Sequence, residues 1–236
     1  MRSELVAAVA SEAVLDRYND LAYGGTETYR PETDSFRQYL FPWEEEVVRN
    51  RFPKPPARIL VGGAGGGREP LALAELGYEI VAFDPSETLV TSLTARAPGN
   101  VTVLGGAYEE MDALFAEGRR FDAAIVGWGS FSHLRSEKAR VATLRSFARL
   151  TDGPILVSFL AVKGATSPRL QRMRRLLPRR AERDPQDIFA VTIGFYHPVD
   201  EGEVRGLAEQ AELEVVHLSF DERDTNWPHV VLRRRQ

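Results

Sequence analysis

A chain of 236 residues with 43% hydrophobic and 27% charged side chains can bury a sizeable core, which excludes a disordered or fibrous protein. It has no cysteine, so a disulfide framework, a thiolate metal site and a cysteine nucleophile are excluded together. A formal net charge of −4 gives no general attraction to nucleic acid or to an anionic membrane.

Near the amino terminus Leu5, Val9, Ala13 and Val14 recur at helical spacing and predict an amphipathic helix near 3–17. The apolar stretch Leu5–Ala10 is too short for an export signal, and the most hydrophobic run, Ile155–Val162, is too short to span a bilayer. A soluble, cytoplasmic protein is therefore expected. Gly24-Gly25 predicts a turn, and a second helix near 34–51 carries Phe36, Tyr39, Leu40, Trp43 and Val47. Phe52-Pro-Lys-Pro-Pro56 breaks that helix and divides an N-terminal helical lid, 1–56, from a core domain, 57–236.

Strands and helices then alternate. Strands are expected at Ala57–Val61, Tyr78–Phe83, Val101–Leu104, Phe121–Val126 and Pro154–Leu160. Helices are expected at Glu69–Leu76, Ser86–Ala95, near 108–116 and at Ser136–Leu150. This rhythm predicts an α/β fold: a Rossmann-like, doubly wound, mostly parallel sheet with right-handed crossovers. After Val162 the rhythm breaks into an arginine-rich segment (Arg169, Arg172, Arg174, Arg175, Arg179, Arg180, Arg183). A helix, Asp200–Ala211, and two strands, Leu213–Phe220 and His229–Leu232, follow. The link Asp221–Pro228 is too short for a helical crossover, so the last two strands should form an antiparallel hairpin.

The first strand turns into the first helix through Gly63-Ala64-Gly65-Gly66-Gly67. Glycines there let the backbone approach a ligand at the carboxyl edge of the sheet, where open α/β sheets bind ligands. Asp84 ends the second strand, and its carboxylate can accept hydrogen bonds from both hydroxyls of a ribose. Together they indicate a nucleoside site. The dinucleotide spacing G-x-G-x-x-G fails, because from Gly63 the third glycine position is Arg68.

Gly63-x-Gly65-x-Gly67, the acid in Phe83-Asp84-Pro85-Ser86 and the segment Phe121–Leu134 instead resemble the class I S-adenosylmethionine-dependent methyltransferases of small-molecule type. The resemblance runs from Ala57 to Val162 and returns in the terminal hairpin. It implies S-adenosyl-L-methionine as cofactor. Gly63, Ala64, Gly65 and Gly67 would form the loop, and Asp84 and Pro85 would lie at the ribose. Backbone groups of Ala107 or Tyr108, or the Glu109 side chain, would meet the adenine amino group, and Gly127, Trp128 and Gly129 would lie against the methionine part. Tyr18 and Tyr23 resemble tyrosines that cap the cofactor in many members, and they equally fit a helix stripe. In two places the chain departs from the family pattern: Val61 stands where an acid is frequent, and Leu104–Glu109 lacks the common Asp.

Methyl transfer needs alignment of the nucleophile, exclusion of water and sometimes a base. His133, just beyond the fourth strand, and His197, before the sixth, are the candidate bases; either could instead be a packing residue. Gly127–Leu134 contains no carboxylate, so no metal is expected. The expected activity is methyl transfer to an oxygen or nitrogen of a small molecule, without a nucleic-acid or membrane partner. The segment 163–198 is expected to complete the lid. The alternatives are an NAD(P)-linked oxidoreductase and a non-catalytic cofactor-binding protein.

Overall fold

The structure is a computed structural model in which residues 2–25, 39–115, 120–162, 183–222 and 226–235 are described. The chain begins with β1 (Arg2–Ser3), α1 (Glu4–Val9), α2 (Glu12–Gly25) and α3 (Pro42–Arg51). Alternating units follow: β2 (Arg58–Gly62), α4 (Arg68–Glu75), β3 (Glu79–Asp84), α5 (Glu87–Thr94), β4 (Val101–Gly105) and α6 (Met111–Leu114). Then come β5 (Ala123–Val126), α7 (Glu137–Leu150) and β6 (Ile155–Ser158). The chain ends with β7 (Ile188–Ala190), β8 (Gly194–Tyr196), α8 (Glu201–Gln210), β9 (Leu213–Ser219) and β10 (His229–Arg234).

Alternate side chains of each central strand enter opposite hydrophobic layers, and this makes the sheet doubly wound. Leu60, Val81, Phe83, Ala124, Val126, Ile155 and Val157 join Val141, Leu144 and Phe147 of α7 and Val204 and Leu207 of α8. Ile59, Val61, Ile80, Ala82, Ala123, Ile125 and Leu156 join Trp43, Val47 and Val48 of α3 and Leu71 and Leu73 of α4. Each fully buried Leu, Ile or Phe contributes about 1.5–3 kcal/mol by leaving water. Phe147, with no exposed surface, would cost about 3–5 kcal/mol if cut to Ala.

The main sheet runs β4-β3-β2-β5-β6-β10-β9. The first five strands are parallel. Both β10 against β6 and β9 against β10 are antiparallel, as the short link between the last strands requires. Strand β10 lies between β6 and β9, so the hairpin returns inward. With β2 in the middle of the five parallel strands, its neighbours β3 and β5 deliver their carboxyl ends to either side of the glycine loop.

The N-terminal region differs from the expected pattern. The first helix breaks at Ala10-Ser11, where the Ser11 hydroxyl accepts the Val14 N–H and starts α2. Gly24-Gly25 lies inside the last turn of α2 and does not form a separate turn. Helix α3 starts at Pro42, so Tyr39 and Leu40 precede it; Phe36 lies outside the described residues. The start is set by Pro42 at the first position, where no N–H is needed, and by Glu44, which accepts the Phe41 N–H at 2.7 Å.

A second, small sheet, β1-β7-β8, is antiparallel and was not foreseen. Its hairpin turns over Val191–Ile193 into Gly194, whose φ of +73° suits glycine. Among the described residues no helix is long and apolar enough to cross a membrane.

Candidate functional site

The loop after β2 is stitched to both neighbouring strands. Gly127 N–H, after β5, donates to Gly62 O at 2.8 Å, and Ala64 N–H donates to Phe83 O of β3 at 3.1 Å. A side chain at Gly127 would run into the Gly63 carbonyl, so close backbone approach demands glycine there. Gly67 is the left-handed residue that starts α4, packed against Leu93. Neither Gly67, Gly127 nor Gly129 lines the cavity; they hold its floor in shape.

That cavity, about 760 Å³, lies over the carboxyl edge of the sheet and is within the size range of small-molecule sites. Gly63, Ala64, Gly65, Asp84, Pro85, Ala107, Tyr108, Trp128 and His133, all singled out in the sequence, line it. A Cβ added at Gly65 would meet no protein atom within 4 Å, because it would project into this space.

Asp84 is 8% exposed. Its Oδ2 accepts Gly65 N–H at 2.8 Å and its Oδ1 accepts Ser86 N–H at 2.9 Å. Burial raises its pKa, and these two hydrogen bonds oppose the rise. An ionised carboxylate has about four acceptor positions, so two remain for a pair of vicinal hydroxyls. The open space at Gly65 and these acceptors fit a nucleoside.

Ala107 N–H is already donated to Glu110 Oε2 at 2.8 Å. The Ser130 hydroxyl donates to Gly127 O at 2.7 Å, so the hydroxyl of half-buried Tyr108 donates to Ser130 Oγ at 2.7 Å. Trp128 packs edge-on against Phe41 and Trp227 and is 37% exposed.

His133 Nδ1 lies 2.6 Å from Phe195 O. A carbonyl only accepts, so Nδ1 carries the proton and Nε2 is the lone-pair nitrogen. Tyr23 Oη lies 2.5 Å from Nε2 and therefore donates to it. Burial lowers the His133 pKa, which keeps the ring neutral. Tyr18 is not on the cavity wall. Its hydroxyl donates to Val191 O at 2.5 Å and its ring meets Phe189 edge-on, so it clamps α2 to the hairpin.

His197 is also absent from the wall and is 1% exposed. Its Nδ1 is 2.8 Å from Asp187 Oδ1 and its Nε2 is 2.9 Å from Glu203 Oε2. Burial pulls its pKa down, but the two carboxylates outweigh burial and raise it. With both nitrogens donating to carboxylates it has no lone pair for a substrate proton. Its backbone N–H, at 2.7 Å from Ser132 O, supports the turn that carries His133.

Of the further wall residues Glu12, Asp16, Asn19, Glu69, Arg135 and Arg183, only Arg183, in the arginine run, was singled out in the sequence. Glu12 and Asp16 pair with Arg135, Glu12 also pairs with Arg183, and all four line the cavity with Asn19. Glu69 lines it near Trp128, whose N–H it accepts at 3.2 Å. Glu12 and Asp16 share a helix face at i, i+4, a legible signal, whereas their cations lie more than a hundred positions away. The other arginines of the run, Arg169–Arg180, lie outside the described residues. Among the described residues no group of three His, Asp or Glu side chains is arranged to hold a metal ion.

Residues 59–152 match the family model described as "Methyltransferase domain". No curated protein matches the chain in sequence. Among solved structures, the CcbJ methyltransferase from Streptomyces caelestis superposes with a TM-score of 0.62 at 19% identity, covering 93% of this chain and 98% of that one. The 1,6-didemethyltoxoflavin-N1-methyltransferase from Burkholderia thailandensis, solved with its substrate and S-adenosylhomocysteine, gives 0.62 at 18% identity over 95% and 89%. The sugar N-methyltransferase KedS8 from a Streptoalloteichus species gives 0.61 at 16% over 88% and 91%. At these identities the structural likeness carries the fold alone.

Proposed function

We propose that this chain, whose residues 59–152 match a methyltransferase domain, is a class I S-adenosylmethionine-dependent methyltransferase that methylates an oxygen or nitrogen of a small polar molecule. When bound, S-adenosylmethionine supplies a methyl group on a positively charged sulfur. Gly63, Ala64, Gly65, Asp84, Pro85, Tyr108 and Trp128 would hold it, with Asp84 on the ribose. The remaining wall then belongs to the acceptor: Glu12, Asp16, Asn19, Tyr23, His133 and Arg135. Two carboxylates paired with arginines make this wall polar without an excess of one sign, which suits a molecule rich in hydroxyl or amino groups. In this proposal the residues of 1–56 and 163–198 act as the lid, and the enzyme works in the cytoplasm.

The Tyr23–His133 pair carries the proposal. An acceptor N–H or O–H resting on Tyr23 Oη can pass its proton there while the tyrosine proton moves to His133 Nε2. Neutral His133, oriented by Phe195 O, is in the form that can receive it. Incubating the full chain with methyl-labelled S-adenosylmethionine and a panel of amino sugars and hydroxylated small molecules tests this. Labelled product is expected, with much less from Tyr23→Phe. Tight S-adenosylhomocysteine binding without transfer to any acceptor would favour a non-catalytic binding protein.

A further inference from the structure

Beneath the glycine loop lies a buried charge cluster that the transfer reaction does not use. Arg68 Nη1 and Nη2 bind Glu44 Oε2 and Oε1 at 2.6 and 2.7 Å, a bidentate pair in which both side chains are almost wholly buried. Arg68 Nη2 also donates to Glu69 Oε1 at 2.8 Å, and Trp128 N–H donates to the same oxygen at 3.2 Å. Thus one guanidinium serves two carboxylates. With both carboxylates ionised, the cluster is therefore one cation short.

Glu69 is 4% exposed and belongs to the cavity wall. Its second oxygen, Oε2, receives no hydrogen bond from the described residues. A carboxylate oxygen on a cavity wall that takes no donor from the surrounding protein is open to a cation or donor carried by a ligand.

Its position says which part of a ligand that is. Asp84 ends β3 on one side of β2, whereas Trp128 follows β5 on the other. A nucleoside anchored at Asp84 therefore directs whatever its 5′ position bears across the glycine loop toward Glu69. We propose that Glu69 Oε2 binds the primary ammonium of the amino-acid end of S-adenosylmethionine, completing a cluster of two carboxylates and two cations. This rests on the cofactor assignment above.

A consequence reaches Glu44. Burial above all, and the nearby Glu69 charge, push its pKa up to about 7 against the pull of Arg68 and the Phe41 N–H. The charged and titratable groups facing it are Arg68, Glu69 and, beside Arg68, Tyr39. A cation held by Glu69 removes repulsion from Glu44, so ligand binding near neutral pH should release a proton.

Calorimetric titration of the full chain with S-adenosylhomocysteine, S-adenosylmethionine and 5′-methylthioadenosine separates the contributions. The first has the ammonium but no sulfonium, the second has both and the third has neither. Glu69→Gln is expected to weaken S-adenosylhomocysteine at least about tenfold and 5′-methylthioadenosine less than about twofold. Equal losses for both ligands, or none, overturn the proposal. A loss confined to S-adenosylmethionine assigns Glu69 to the sulfonium and overturns it as well. On the unmodified protein, the S-adenosylhomocysteine heat at pH 7 should depend on the buffer's ionisation heat, and the 5′-methylthioadenosine heat should not. Identical behaviour of the two overturns it without any variant. If the unmodified chain binds none of the three ligands, the cofactor assignment itself fails.

Discussion

Tyr23 and His133, 110 positions apart, share a single hydrogen bond of 2.5 Å at the cavity wall. The hairpin β7–β8 imposes it: Phe195 O holds the imidazole, and Ile193 O lies 3.3 Å from the same tyrosine hydroxyl. The lone pair of His133 Nε2 is thus occupied by the Tyr23 hydroxyl, and in the proposed reaction the tyrosine would relay the proton. His133→Ala should lower kcat by about 10²–10⁴-fold, and Tyr23→Phe should fall in the same range. A double variant little worse than either single one would mark them as one unit. Losses below about tenfold at every pH in both variants would remove the pair from the proton route.

Each oxygen of Asp84 already holds a backbone N–H, that of Gly65 in the glycine loop and that of Ser86 after β3. Asp84→Ala is expected to weaken S-adenosylhomocysteine at least about tenfold. Asp84→Asn should be nearly as damaging, since its NH₂ group would face one of the two N–H donors. Circular dichroism and calorimetry on the same samples read both effects. Unchanged affinity in Asp84→Ala would refute its role.

Two glycines make opposite predictions. Gly65→Ala meets open space and pays only for a left-handed backbone, φ +53°, about 1–2 kcal/mol, so the fold should persist while ligand binding collapses. Gly127→Ala meets the Gly63 carbonyl, which cannot turn aside as a side chain would. Its stability should fall by about 3 kcal/mol or more. Thermal unfolding with and without S-adenosylhomocysteine distinguishes the two; a Gly65→Ala protein that binds normally would contradict the cradle.

His197 predicts a pH dependence. Its folded pKa is raised, so the stabilisation it contributes is complete below its unfolded value of about 6.5 and is lost as pH rises through the folded value. His133, His217 and His229 have lowered pKa values and act in the other direction, below about pH 6.5. Urea midpoints measured from pH 7 upward should therefore decline in the native chain and decline less in His197→Gln. Parallel slopes would assign the effect elsewhere.

Arg135 bridges Glu12 and Asp16 on the part of the cavity wall proposed for the acceptor. Arg135→Ala should raise the KM for the acceptor while S-adenosylhomocysteine affinity stays within about twofold. A matching loss of cofactor affinity would contradict the division of the cavity.

The alternation of apolar runs and amphipathic segments, the glycine loop, Asp84 at a strand end and the antiparallel close were all legible in the sequence. Each depends on near neighbours in the chain: a periodicity of two or 3.6, a turn that requires glycine, or a link too short for a crossover. The acid beside the arginine that breaks the dinucleotide spacing was equally visible, yet its meaning was not. Glu69 matters because Arg68 is held by Glu44, 24 positions earlier, and because β5 brings Trp128 beside it. In the same way Tyr18 and Tyr23 have equal standing as letters, and so do His133 and His197. The small sheet separates them, engaging Tyr18 with Val191, turning Tyr23 toward His133 and leaving His197 between two carboxylates. Such pairings join distant segments whose hydrogen-bond partners are chosen only when strands and helices pack, so no local pattern announces them.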